Sequence, residues 1–390
     1  MIRVHSYASL AVLALGLTTP TLHALAAQAA STSTPPVSPS PSPGPTGATP
    51  AVTRPFTWPT SIPTSSPTSA PVKLPALPID PQSVTVSGIS SGAMMSVQLL
   101  VARSSIFRGA ATVAGGPYFC AKGNAETAQR DCMGNPDAVK VPELLTATRE
   151  FAAKNQIDPL ETLRARGSLF ILQGTADTIV KPALAGKLEA FFAELLPEEK
   201  IESKTDLPVA HGFPTLNTGI QCDKQGKPWL NRCDWDGAGA ILATLYAGET
   251  GLAPRGSAKA SNLTAFDQSE FDAGTAKAML GPKGWVYIPE GCRSPEAGKP
   301  LCRLHVALHG CAQSPEFTQD AFATSAGYND WAESNRIVIL YPSATTGSGN
   351  PCGCWDWWGY TGANYATRDG AQIKAISAMV DRLTGQSPRK

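Results

Sequence analysis

Val84-Thr85-Val86-Ser87-Gly88-Ile89-Ser90-Ser91-Gly92-Ala93-Met94-Met95-Ser96-Val97-Gln98-Leu99-Leu100 is the stretch whose reading decides the fold. Val84-Thr85-Val86 is β-branched throughout and predicts a buried strand. Ala93 to Leu100 is apolar with few interruptions and predicts the helix behind it. Between them lies Gly88-Ile89-Ser90-Ser91-Gly92, a Gly-x-Ser-x-Gly pentapeptide. So sharp a turn from strand to helix strains its central residue, and a glycine on each side lets strand and helix approach without colliding side chains. A merely serine-rich turn has no need of bracketing glycines. Ser90 is therefore the candidate nucleophile, raised at the carboxyl edge of a sheet. The new helix points its first N–H groups at the same place, and the N–H of Ser91 is placed as one oxyanion donor.

Outward from this element, short apolar runs at 83–86, 109–114, 168–173, 285–288, 304–308 and 337–341 alternate with helical runs that include 94–102, 183–196 and 371–383. Buried strands alternating with amphipathic helices predict an α/β fold, a mostly parallel central sheet with helices on both faces. A chain of 390 residues, 42% hydrophobic, can fill such a core as one domain. Residues 212–283, rich in Gly and polar residues, read as an irregular insertion, and there is no internal repeat. A net charge of +1, with no basic run longer than a dipeptide, gives nucleic acid or an anionic membrane no electrostatic hold.

Residues 1–29 read as a secretory signal peptide. Arg3 and His5 precede a short apolar run over 8–17, and Ala27-Gln28-Ala29 offers a cleavage site, with Ala24-Leu25-Ala26 as a second choice. The run is too short to span a bilayer, which needs about 20 apolar residues. The mature protein is expected to be soluble and secreted, extracellular or periplasmic. Residues 30–72 hold twelve prolines among Ser and Thr, with Arg54 the one charge. Such a segment cannot bury enough apolar surface to offset its ordering entropy, so an extended tether is predicted. Residues 73–390 are expected to form the catalytic domain.

All nine cysteines lie beyond the signal peptide, and an oxidising compartment makes disulfides the default. Proximity pairs Cys120 with Cys132, Cys222 with Cys233 and Cys292 with Cys302. Cys311 then joins Cys354 or Cys352, leaving one thiol over. A zinc site is not expected, because Cys352-Gly353-Cys354 is too tight for ligand spacing and has no His nearby. No cofactor is called for.

A serine nucleophile needs a base, and the chain has five histidines, of which His5 and His23 leave with the signal peptide. His305 and His309 lie in or just after the strand at 304–308, whereas His211 sits on a loop in Pro208-Val209-Ala210-His211-Gly212-Phe213. A loop gives a general base the mobility that a strand denies it, so His211 is preferred. For the acid, Gly174-Thr175-Ala176-Asp177-Thr178 is the turn ending the strand at 168–173, which brings Asp177 to the same sheet edge as Ser90. Asp206, Asp234 and Asp236 follow no convincing strand. The order Ser90, Asp177, His211 matches that of α/β-hydrolases.

One element is out of order. Val306-Ala307-Leu308-His309-Gly310-Cys311-Ala312-Gln313 looks like the strand and loop that supply the second oxyanion N–H in lipases and esterases, yet it follows the nucleophile by more than two hundred residues. A circular permutation accounts for this, since termini commonly lie close together at the surface.

Gly88-Ile89-Ser90-Ser91-Gly92-Ala93-Met94-Met95, Gln173-Gly174-Thr175-Ala176-Asp177, Leu308-His309-Gly310-Cys311 and Cys354-Trp355-Asp356-Trp357-Trp358-Gly359-Tyr360 together resemble the extracellular poly(3-hydroxybutyrate) depolymerases of the permuted catalytic-domain type. The similarity runs from about residue 74 to 383. It implies a circularly permuted α/β-hydrolase with Ser90, Asp177 and His211 as triad and the N–H groups of Ser91 and Cys311 as oxyanion hole. It also implies a groove lined by Trp355, Trp357 and Trp358, to which Tyr118 is added, and a disulfide from Cys311 to Cys354. In alternation Trp355 and Trp357 would share one face, with Trp358 on the other. Many such enzymes carry a separate polymer-binding domain, and none is expected here. The partner is then a polyester polymer or oligomer met by a monomer. The rivals are an esterase on small aryl or feruloyl esters, a poly-aspartate (polyamide) hydrolase and, more distantly, a non-catalytic polymer-binding protein.

Overall fold

Strand β1 (Thr85–Ile89), which leads into the pentapeptide, comes first in the chain yet lies in the middle of the sheet. The computed structural model describes residues 71–247, 251–272 and 278–387. The expected signal peptide (1–29) and all but the last two residues of the tether (30–72) lie outside them. From β1 the chain builds outward through β2 (Ala110–Val113), β3 (Leu169–Leu172) and β4 (Ile201–Lys204), all parallel. It then makes a small three-stranded sheet from β5 (Phe213–Thr215), β6 (Ile220–Gln221) and β7 (Leu230–Arg232). Crossing over, it fills the other half of the main sheet with β8 (Leu263–Asp267), β9 (Lys283–Tyr287), β10 (Arg303–Leu308) and β11 (Ile337–Tyr341). The order is β4-β3-β2-β1-β10-β11-β9-β8, with β9 antiparallel to both its neighbours.

Side-chain alternation along these strands separates two apolar layers. Val338 and Leu340 belong to the layer that also holds the helices Ser91–Ala102, Ala183–Ala193 and Ala371–Leu383, while Ile337, Ile339 and Tyr341 belong to the layer of Gly237–Leu245 and Tyr328–Asn335. Both faces of the sheet are therefore covered, which is why its inner strands read as continuous apolar runs. The predicted mostly parallel α/β sheet is present, and the nucleophile strand is followed directly by its helix. Leu77 N–H donates to the carbonyl of Leu383 at 2.8 Å, so the entry to this domain and the end of its last helix are in contact.

The region 212–283 is more ordered than its composition predicts. It supplies the β5-β7-β6 sheet, the Gly237–Leu245 helix that packs on one sheet face, and β8. The strands there are two or three residues long or only half buried, so no apolar run betrayed them. Cys120–Cys132, Cys222–Cys233, Cys292–Cys302 and Cys311–Cys354 are bonded, and Cys352 is a buried free thiol.

Candidate active site

Ser90 has φ 57° and ψ −119°, a conformation that costs a non-glycine residue energy and is held here by its neighbours. Its N–H donates to Val113 of β2 at 2.8 Å. A Cβ on Gly88 would stand 2.2 Å from the carbonyl of Gly92, and one on Gly92 would stand 2.4 Å from the His309 carbonyl oxygen. The two glycines thus permit two different contacts. Gly88 lets the strand touch its own helix, and Gly92 lets that helix touch the end of β10.

At the end of β3, Asp177 is buried with all its acceptor capacity committed. Oδ1 accepts the N–H groups of Ile179 and Val180, each at 2.9 Å, and Oδ2 lies 2.8 Å from His211 Nδ1. Gln173 Nε2 approaches Oδ2 at 3.4 Å. Because the carboxylate can only accept, His211 carries its proton on Nδ1 and leaves Nε2 as the basic nitrogen. The loop that bears His211 lies over Gly174, where a Cβ would come within 1.9 Å of the Val209 carbonyl oxygen. The structure therefore joins the candidate base to the candidate acid. No hydrogen bond joins Ser90 Oγ to His211; such contacts commonly lengthen in ligand-free sites.

His305 and His309 are unfit for the same work. His305 is buried between Thr85 Oγ1 (2.8 Å) and Ser87 Oγ (2.7 Å), and desolvation lowers its pKa to about 3. His309 Nε2 accepts the Ala344 N–H at 3.1 Å, which leaves Nδ1–H to donate to the Gly310 carbonyl at 2.7 Å. Burial lowers its pKa to about 4. Both are neutral, uncharged parts of the core.

The loop after β10 lies on the nucleophile, since a Cβ on Gly310 would stand 3.3 Å from both the Ser90 Cβ and the Ile89 carbonyl oxygen. The amides of Ser91 and Cys311 donate to no other group among the described residues. Gln313 fastens the loop from both sides: Oε1 accepts the Gly310 N–H at 2.8 Å, and Nε2 donates to the Pro228 and Trp229 carbonyls, each at 3.2 Å. Trp229 closes the circuit. Its ring meets His211 edge-on at 6.2 Å, and its indole N–H donates to the Ala312 carbonyl at 3.0 Å. Among the described residues, no group of three or more His, Cys, Asp or Glu side chains is arranged to hold a metal ion.

Residues 76–233 match the prolyl oligopeptidase family. Over 312 residues the chain is 39% identical to a poly(3-hydroxybutyrate) depolymerase of Delftia acidovorans, an alignment covering 80% of this chain and 61% of that protein. Over 326 residues it is 34% identical to a polyhydroxybutyrate depolymerase of Talaromyces funiculosus, covering 80% of this chain and 92% of the relative. The chain belongs to the polyhydroxybutyrate depolymerases. The crystal structure of the PHB depolymerase from Penicillium funiculosum superposes with a TM-score of 0.72 at 32% identity, covering 80% of this chain and 99% of the other. A PHB depolymerase complexed with an R3HB trimer matches equally well. The chain thus spans somewhat under two thirds of the Delftia relative and nearly all of the Talaromyces and Penicillium ones.

Within this family frame the aromatic residues sort differently from expectation. Trp355 is fully buried, Trp357 is buried, and Trp358 alone of the three keeps part of its ring exposed. Tyr118 is also buried, its hydroxyl donating to the Ala366 carbonyl at 2.6 Å. Trp355, whose ring packs on His309, and Tyr118, whose ring packs on Phe151 and Phe191, are core residues and not groove lining. The Trp-rich segment is not a strand; Asp356 shapes it by accepting the N–H groups of Gly359 (2.6 Å), Tyr360 (3.1 Å) and Thr361 (2.8 Å). Trp229 lies outside the sequence motifs, and Gln313 and Asp356 stand within them with no role that the motif itself reveals. The one signal for Trp229 is its place inside the Cys222–Cys233 loop, which begins eleven residues after His211.

Proposed function

We propose that this chain hydrolyses poly(3-hydroxybutyrate) or a related short-chain polyhydroxyalkanoate through a Ser90–His211–Asp177 acyl-enzyme mechanism. The observation that carries the proposal is the 2.8 Å contact of His211 Nδ1 with Asp177 Oδ2 at the sheet edge where Ser90 stands on its strained turn, in a chain of this family. His211 Nε2 takes the Ser90 proton as Oγ attacks the ester carbonyl, and the amides of Ser91 and Cys311 stabilise the oxyanion. His211 then protonates the departing hydroxyl, and water repeats the sequence on the acyl-enzyme. Asp177 holds the imidazole in the required tautomer. The partly exposed Trp358 offers aliphatic contact to a methyl-bearing polyester, which has few groups to hydrogen-bond.

The test compares wild type with Ser90→Ala on a poly(3-hydroxybutyrate) suspension and on a soluble aryl ester. Clearing by wild type alone supports the proposal. Ester cleavage without clearing removes the polymer from it, and undiminished turnover by Ser90→Ala removes the nucleophile.

We further propose that the chain is exported, with residues 1–29 removed and residues 30–72 retained ahead of the catalytic domain. Four disulfides support export, since such bonds form and persist in oxidising compartments. N-terminal sequencing of protein from the culture medium should begin at Ala30; intact Met1 on protein retained in the cell would contradict it.

A further inference from the structure

The two amides assigned to the oxyanion hole come from segments far apart in the chain, one at the start of the Ser91–Ala102 helix and one on the loop after β10. Their separation must still be fixed to a few tenths of an ångström if both are to meet one oxygen. A third segment, residues 352–356, is attached to both. At one end the Cys352 carbonyl accepts the Ala312 N–H at 2.7 Å, and Cys354 is bonded to Cys311 itself. At the other end the Trp355 N–H donates to Ser91 Oγ at 3.2 Å, and the Asp356 carbonyl accepts from Gln98 Nε2, about two helical turns further on, at 2.9 Å. The segment between is itself held. Asn350 accepts the Cys354 N–H and donates to the Cys354 carbonyl, each at 2.9 Å, and Gln372 Oε1 accepts the Asp356 N–H at 2.7 Å. Ser91 and Trp355 are both buried, so water does not compete for their contact.

We propose that the Ser91 hydroxyl is a positioning group, which by accepting the Trp355 N–H ties residues 352–356 across the oxyanion hole and sets the spacing of its two amides. This rests on the serine-hydrolase reading given above. The hydroxyl touches no reacting atom. It also explains why Trp355 is buried instead of lining the groove: its backbone is half of the tie, and its ring packs on His309 at 5.3 Å, at the root of the same loop.

The test uses kcat and KM on a soluble aryl ester, with the inhibition constant of an arylboronic acid, which forms a tetrahedral adduct with the nucleophile. Ser91→Ala should lower kcat by about tenfold or more with KM within about twofold, and weaken the boronate by the same factor, because only the tetrahedral species uses the spacing. Ser91→Thr keeps the acceptor and should stay within about threefold of wild type in both measures. If Ser91→Ala does not melt cooperatively, Ser91→Gly removes the same acceptor and is read in the same way. Wild-type kcat and boronate affinity in the variant without the hydroxyl would overturn the proposal, as would a Ser91→Thr enzyme as slow as Ser91→Ala. Ser90→Ala run alongside separates the two levels: turnover surviving there defeats the serine-hydrolase reading, whereas a dead Ser90→Ala beside an unimpaired Ser91→Ala defeats only this inference.

Discussion

The indole N–H of Trp229 donates to the carbonyl of Ala312 at 3.0 Å while the same ring stands edge-on to His211. One side chain therefore touches both the loop of the base and the loop of the oxyanion hole. Trp229→Phe keeps a ring beside His211 and removes the donor, so kcat/KM on a soluble ester should fall about fivefold, the worth of about 1 kcal/mol. Trp229→Leu removes both contacts and should cost more than tenfold. Equal losses in the two variants would assign the whole effect to the Ala312 bond.

Asp177 separates stability from activity. In Asp177→Asn the side-chain oxygen can still accept the Ile179 and Val180 amides, but the amide group facing His211 Nδ1 donates where a carboxylate accepted. The imidazole is driven to the other tautomer, and kcat should fall by about three to four orders of magnitude. The melting temperature should stay within a few degrees. Asp177→Ala, by contrast, strands two turn amides and should lose about 1–3 kcal/mol of stability for each one left unpaired. Urea titration of both variants checks the difference.

Acid should weaken the fold before it titrates ordinary carboxylates. His305 and His309 have folded-state pKa values lowered to about 3 and about 4, against about 6.5 in an unfolded chain. Below pH 6.5 the unfolded chain binds protons that the folded one refuses, so stability is lost as pH falls from there toward the folded values. At pH 5 the loss should be about 2 kcal/mol for each histidine. A denaturant midpoint that is flat between pH 7 and pH 5 would contradict this.

Two glycines make a matched pair. Gly92→Ala would set a methyl 2.4 Å and 2.5 Å from the carbonyl oxygens of His309 and Leu308, backbone that cannot step aside without moving β10. The variant should lose at least about 2 kcal/mol. Gly186, inside the Ala183–Ala193 helix, has nothing within 4 Å of an added Cβ, and Gly186→Ala should gain about 1 kcal/mol.

What could be read from the sequence follows from how chemistry is distributed along it. Thr85 to Leu100 announces itself because strand, turn and helix are contiguous and each obeys its own pattern. β4 (Ile-Glu-Ser-Lys) and β8 (Leu-Thr-Ala-Phe-Asp) did not, since strands at the two edges of a sheet are buried on less of their surface and look like loop. Asp177 and His211 were within reach because few carboxylates end a strand and few histidines remain. Trp355 was harder to place, for the opposite reason. Trp355 and Trp358 differ by three positions and by no chemical property, and only the turn that Asp356 organises decides which ring is buried. Trp229 acts through a neighbour more than eighty residues away, a distance no local pattern spans.

The contact between Leu77 and Leu383 bears on the history and the engineering of the chain. Since entry and exit of the domain already touch, a short bridge between them would leave the sheet undisturbed, and the cut could be moved to Gly251, where the chain has open space around it. A polypeptide rewritten in that way would run from β8 through the Cys311 loop, then Ser90, Asp177 and His211, recovering the serial order of an ordinary hydrolase from the same set of contacts. Order along the chain would then be a property of the gene alone, and catalysis should not register the change.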